Sequence, residues 1–130
     1  MSRIVKASGI ASVVMFASAA AIAAPLPLKP GTYVREGVAC HGAPFAAQFD
    51  YKNEEFAYPH ATHCVTKITE HHGNMYKTTQ TCSALGDGTP ATPSSSAQEY
   101  EIISPSRLSV KQTIDGHEDK STFRLCKAVN

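Results

Sequence analysis

The chain has 130 residues, with 12 Lys and Arg against 11 Asp and Glu, six His and four Cys. That near-neutral balance excludes the basic stripe that nucleic-acid binding requires and the basic amphipathic helix that anionic membranes attract. There is no Gly-rich phosphate loop and no cofactor fingerprint, so no cofactor is expected.

Arg3 and Lys6 precede an uncharged run, residues 10–24, that is short and alanine-rich for a membrane span. It ends in small residues with Pro25 close behind, as an export signal does, and Ala21 and Ala23 place the cut between Ala23 and Ala24. Residues 1–23 are therefore expected to be a cleaved signal peptide and residues 24–130 a single β domain, periplasmic or secreted. No cysteine stands at the junction to take a lipid, so the mature chain is expected to carry no membrane anchor. Losing Arg3 and Lys6 leaves ten basic against eleven acidic residues. A mature chain of roughly 107 residues supports one core with thin reserves of stability.

In chain order, strands are predicted over residues 32–39, 45–51, 55–58, 64–70, 75–82, 98–104, 107–114 and 122–126. "FAAQFDY" places Phe45, Ala47, Phe49 and Tyr51 on one face and Ala46, Gln48 and Asp50 on the other. "EYEIIS" alternates Tyr100 and Ile102 with Glu99 and Glu101, and "RLSVKQTI" sets Leu108, Val110 and Ile114 against Arg107, Ser109, Lys111 and Thr113. Turn residues separate these runs at Lys52 and Asn53, at His72 to Asn74, around Pro105, and at Asp115 with Gly116. No window carries a helical stripe. The expected fold is all-β: a small antiparallel barrel or sandwich of seven or eight short strands, its interior filled by Phe45, Phe49, Tyr100, Leu108 and Phe123.

Residues 83–97, "SALGDGTPATPSSSA", have almost nothing apolar to bury and read as a long loop. Loops of that length are either mobile or functional. Ser83, Asp87, Thr89 and Ser95 mark it as the candidate partner-binding segment, since a loop pinned at Cys82 loses less entropy on binding than a free one. Asp87 in "GDG" lacks the spaced oxygen ligands of a calcium loop.

Cys40, Cys64, Cys82 and Cys126 all lie beyond the signal, and their wide spacing fits two disulfides rather than a metal knuckle. Three connectivities are open. The reading favours Cys40 with Cys64 and Cys82 with Cys126, because a chain turning back near Lys52 brings Cys40 and Cys64 opposite each other. Four histidines crowd the stretch "YPHATHCVTKITEHHGNMY". His71 and His72 fall at a hairpin tip, roughly 26 Å of extended chain from His63, so the four cannot share an ion. A smaller set, His41, His60 and His63, would hold zinc or copper if the rings converged. The expectation is no metal, with that trio as the alternative.

Catalytic constellations are missing. No G-x-S-x-G is present, no C-x-x-C sits in a βαβ context, and the pairs Glu54 with Glu55 and Glu118 with Asp119 lie beside turns rather than across a cleft. The stretches "LPLKPGTYVREGVACHGAPFAAQFDY", "YPHATHC", "YKTTQTCSALGDGTPATPS" and "TFRLC" resemble small exported proteins of Gram-negative bacteria, a likeness that spans nearly the whole mature chain and implies no activity. In size and cysteine usage the chain is also similar to the periplasmic inhibitors of c-type lysozyme, which are small β-barrels. "SSSAQEYEI" echoes their Ser-, Gly- and Tyr-rich inhibitory loop in composition and transfers no residue role. The expectation is thus a non-catalytic binding or interaction module, of the inhibitor or envelope-stress kind, with an unknown protein or small-molecule partner in the cell envelope. A histidine metal-binding protein is the alternative, and a small enzyme ranks third.

Overall fold

A computed structural model describes Val13 and residues 26–128. Apart from Val13, the expected signal peptide and its cleavage point lie outside the described residues. Eight antiparallel strands run β1 (Gly31–Arg35), β2 (Gln48–Lys52), β3 (Glu55–Ala57), β4 (Ala61–His72), β5 (Met75–Leu85), β6 (Pro90–Ser104), β7 (Arg107–Ile114) and β8 (His117–Ala128). Each pairs with its neighbour in sequence, and β8 returns to β1, so the sheet closes into a barrel.

The turns explain the simple winding. Asn53 (φ 52°) and Glu54 (φ 65°) form a two-residue turn between Lys52 and Glu55, and Asp115 (φ 49°) with Gly116 (φ 79°) does the same between β7 and β8. Two consecutive positive φ values match the right-handed twist of the strands they join. Closure depends on Gly31: a Cβ there would lie 2.1 Å from the Lys127 carbonyl oxygen, so only glycine lets β1 and β8 approach.

Alternation fills the barrel with aromatic rings. Phe49 stacks on Tyr33 with centroids 5.2 Å apart and meets Phe123 edge-on at 5.0 Å, while Phe56 stacks on Tyr100 at 5.6 Å. Tyr33, Phe56, Tyr100 and Leu108 are fully buried, each burial being worth roughly 1.5–3 kcal/mol over exposure. The Tyr33 hydroxyl donates to the carbonyl of Lys29 at 2.6 Å. Burial, with a smaller contribution from neighbouring Tyr51, pushes its pKa up to about 12.

Four expectations are corrected. First, β1 stops at Arg35, where Val38 N–H turns back to the Arg35 carbonyl at 3.2 Å. Second, Phe45 is 77 % exposed rather than in the core, because residues Phe45–Ala47 form a 3₁₀ turn before the strand begins. Third, residues 83–97 are not a long loop: Ser83 lies in β5, Pro90 to Ala97 belong to β6, and only a tight turn separates the two strands. Hydroxyls support this pairing, with Thr81 Oγ1 and Ser95 Oγ 2.8 Å apart and Thr78 Oγ1 donating to the Gln98 carbonyl at 3.0 Å.

The fourth correction concerns the cysteines, which pair as Cys40–Cys126 and Cys64–Cys82. Lys52 does turn the chain, but β3 lies between β2 and β4 and brings Cys64 opposite Phe56. Cys64 and Cys82 face each other across β4 and β5 with Cα atoms 3.9 Å apart. Cys40 instead ties the loop after β1 to β8.

Candidate functional site

The strands of the barrel are unequal in length, and this opens a site. β6 pairs with β7 from Ser104↔Arg107 as far as Glu99↔Lys111, and there the ladder ends. Beyond it β6 continues to Pro90 against β5 alone, and β7 continues to Ile114 against β8 alone. Between the diverging strands lies a groove of about 790 Å³, its walls including Thr79, Ser96, Ala97, Lys111, Thr113 and Glu118.

The apex of the groove is charged. Lys111 Nζ lies 3.0 Å from Glu118 and 3.4 Å from Glu99. These two partners, Glu118 first, hold the ammonium pKa above its ordinary value. Along the walls small polar side chains are joined by Lys77, Ile114 and Asp115.

Backbone direction follows from the disulfide. The close approach of Cys64 and Cys82 identifies them as a non-hydrogen-bonded pair of β4 and β5. The backbone groups of Cys82 therefore point to β6 and bond Ser94. Alternation then turns Gln98 and Ile102 toward β5, in accord with the Ile102 N–H donating to the Asn74 carbonyl at 2.8 Å. Pro93, Ser95 and Ala97 turn the other way, to the unpaired side of β6, and of these Ala97 lines the groove, as does Thr113 of β7. Among the described residues no strand pairs with β6 or β7 on these outward sides beyond Glu99↔Lys111.

Inside the barrel, beneath this region, a polar cluster replaces the aromatic packing. Gln80 Nε2 donates to Tyr100 Oη at 3.1 Å and to Thr66 Oγ1 at 3.3 Å, Gln98 Nε2 donates to Gln80 Oε1 at 3.2 Å, and Tyr100 Oη donates to Gln98 Oε1. Every buried side-chain nitrogen and oxygen among the described residues has a partner. Burial raises the pKa of Tyr100 well above 10 and raises that of Tyr58.

Of the four candidate partner residues none lines the groove; Ser95 lies on β6 beside Ser96, which does. Ser83 lies on the neighbouring strand, and Asp87 and Thr89 sit in the β5–β6 turn, where the Thr89 N–H donates to Asp87 Oδ1 at 2.9 Å and lowers the carboxyl pKa. That turn is seated by Gly86: a Cβ there would lie 1.8 Å from the Pro59 carbonyl oxygen, so the turn rests directly on the β3–β4 connection.

The histidines do not converge. His63 takes φ 51° and lies 3.3 Å from Glu55, His60 stands by the ring of Tyr58 at 5.9 Å, and His41 follows Cys40 to the β8 side of the barrel. Among the described residues no three His, Cys, Asp or Glu side chains come together as a metal site.

Sequence reasoning missed Ala97, Lys111 and Thr113 as neighbours of one groove. The usable signal was the mismatch between a long strand and a short partner, hidden as long as residues 83–97 read as a loop. Compared with known proteins, the chain matches no protein-family model, no curated protein and no solved structure.

Proposed function

We propose that the protein is an exported, non-catalytic binding module, of the inhibitor or envelope-stress kind, that holds its partner in the groove between β6 and β7. The observation that carries this reading is the groove itself, a concavity of about 790 Å³ opened where the β6–β7 ladder stops. Its volume lies within the range of ligand sites. Export is supported by the N-terminal sequence pattern, and the two disulfides are compatible with an oxidising compartment. Among the described residues no helix is long and apolar enough to cross a membrane.

The test is site-directed crosslinking in the cell envelope. A photoreactive phenylalanine analogue at Thr113 is expected to capture a discrete partner, the same analogue at His60 is not, and Lys111→Glu is expected to weaken capture at Thr113. Equal capture at both positions, or none at Thr113, overturns the assignment of the groove.

A further inference from the structure

We infer that the occupant of this groove is an extended polypeptide segment, bound by backbone pairing to the free edge of β6. The inference rests on the groove being the recognition site and adds the chemical class of the partner.

Of the strand edges that run free beyond their partners, those of β4 and β6 are the longest, and the molecule treats them differently. On β4, pairing with β3 ends at Val65, and the strand continues to His72. That edge carries Lys67, Glu70 and a bulge at Thr69, the usual devices by which proteins discourage another strand from adding. On β6, residues 94–98 read SSSAQ, without a charge. Pro90 and Pro93 lie only at its outer end, and the carbonyl of Pro93 still points to the unpaired side of the strand. The edge is blunted where it leaves the molecule and open where it lines the groove.

The open stretch offers a fixed set of hydrogen-bond groups. The N–H and C=O of Ser95 and Ala97 and the C=O of Pro93 point the same way, a span of roughly 13 Å at ~3.3 Å per residue. Four or five residues of an extended chain match it, with main-chain bonds supplying affinity and alternate side chains the specificity. Ser95 and Ala97 are small and leave space for the side chains of an added strand. At the apex, Lys111 with Glu99 and Glu118 presents both signs of charge.

The surroundings select the kind of chain. The β7–β8 hairpin stands on the far side of the groove, and Thr113 faces in from it. A second copy of this protein would present β6 with β5 attached, so a sheet rather than a single strand would have to pass the β7–β8 hairpin. A segment free on both edges, such as a flexible terminus or linker, is what fits.

The probe is a random heptapeptide library displayed on phage and selected against the intact protein. Enriched peptides are expected to bind at least about tenfold more weakly to Ala97→Pro, which removes a groove-facing N–H from an edge position. N-methylation of alternate peptide residues should abolish binding in one register and spare it in the other. Because the proline variant can disturb the strand, amide exchange on the wild-type protein is the second readout. Peptide should slow exchange at Ser95 and Ala97 and leave the outward amide of Ile68 on the β4 edge unchanged. The inference is overturned if no peptide enriches over a blank surface, or if enriched peptides tolerate N-methylation in both registers and leave Ser95 and Ala97 unprotected. Such a failure alongside crosslinking at Thr113 would leave the groove with a non-peptide ligand. Loss of the crosslink as well would remove the groove itself.

Discussion

β1, β2 and β3 have five, five and three residues, whereas β4, β5 and β6 have twelve, eleven and fifteen. The short wall contributes Tyr33, Phe49, Tyr51 and Phe56 to one packed aromatic core. The long wall buries Thr78 and Gln80 and then outruns its neighbours. Where strands are short, side-chain burial holds them, and nothing is left over to recognise a partner. Where strands are long and polar, cross-strand bonds hold them, and the place where pairing stops supplies unpaired backbone. The difference separates the part of the barrel that gives stability from the part that offers binding.

The two disulfides divide along the same line and give the largest expected effects. Chain entropy ranks them by loop length, with 86 residues closed by Cys40–Cys126 and 18 by Cys64–Cys82. Replacing Cys40 and Cys126 by Ser should cost about 4–5 kcal/mol and replacing Cys64 and Cys82 about 3 kcal/mol, read as shifts of the urea unfolding midpoint. The reverse ranking would place the dominant constraint in the long wall. Non-reducing peptide mapping checks the pairing itself.

Side-chain truncations sharpen the comparison. Phe56→Ala, in the short wall, should cost about 3–5 kcal/mol as a core cavity. Gln80→Ala, in the long wall, should cost about 1–3 kcal/mol by leaving Gln98, Thr66 and Tyr100 short of partners. Both are read from equilibrium denaturation. Equal costs would mean that the polar cluster packs as tightly as the aromatic one.

The smallest effect is a pH dependence shared by both walls. Tyr33 titrates near 12 in the fold against an ordinary value of 10, and Tyr58 and Tyr100 are raised in the same direction by burial. Between pH 10 and about 12 the unfolded chain has lost these protons while the folded one keeps them. Stability from this source is therefore complete below pH 10 and falls as pH rises through 12. Tyrosinate absorbance at 295 nm should lag behind that of free tyrosine and rise together with unfolding. Ordinary titration of all five tyrosines in the folded protein would contradict this burial.

The β class and most strand positions were legible because alternation of Phe49 and Tyr51, of Tyr100 and Ile102, and of Leu108 in β7 marks faces of a sheet without reference to anything distant. Residues 83–97 were not legible. Ser, Thr and Pro bury little, so the local signal for a strand and for a loop is the same, and only the pairing of Thr81 with Ser95 decides. Phe45 misled for the opposite reason: period two continues through it, but the backbone there is still turning. The disulfides depended on which strands lie between which, a property of the closed barrel rather than of spacing. The groove combines all three and was read only as a neighbouring stretch of sequence.

The nesting of the Cys64–Cys82 loop inside the Cys40–Cys126 loop sets a problem of order. A chain delivered to an oxidising compartment from its N-terminus presents Cys40 first and Cys64 second, 24 residues apart in sequence, before either native partner has arrived. The first pair of thiols at hand is therefore a non-native one. Cys64 must be released to meet Cys82, and Cys40 must wait for Cys126, next to the strand that seals β8 against β1. A Cys40–Cys64 bond formed at that stage would have to be opened by thiol exchange, rather than by oxidation alone, before either native pair could close.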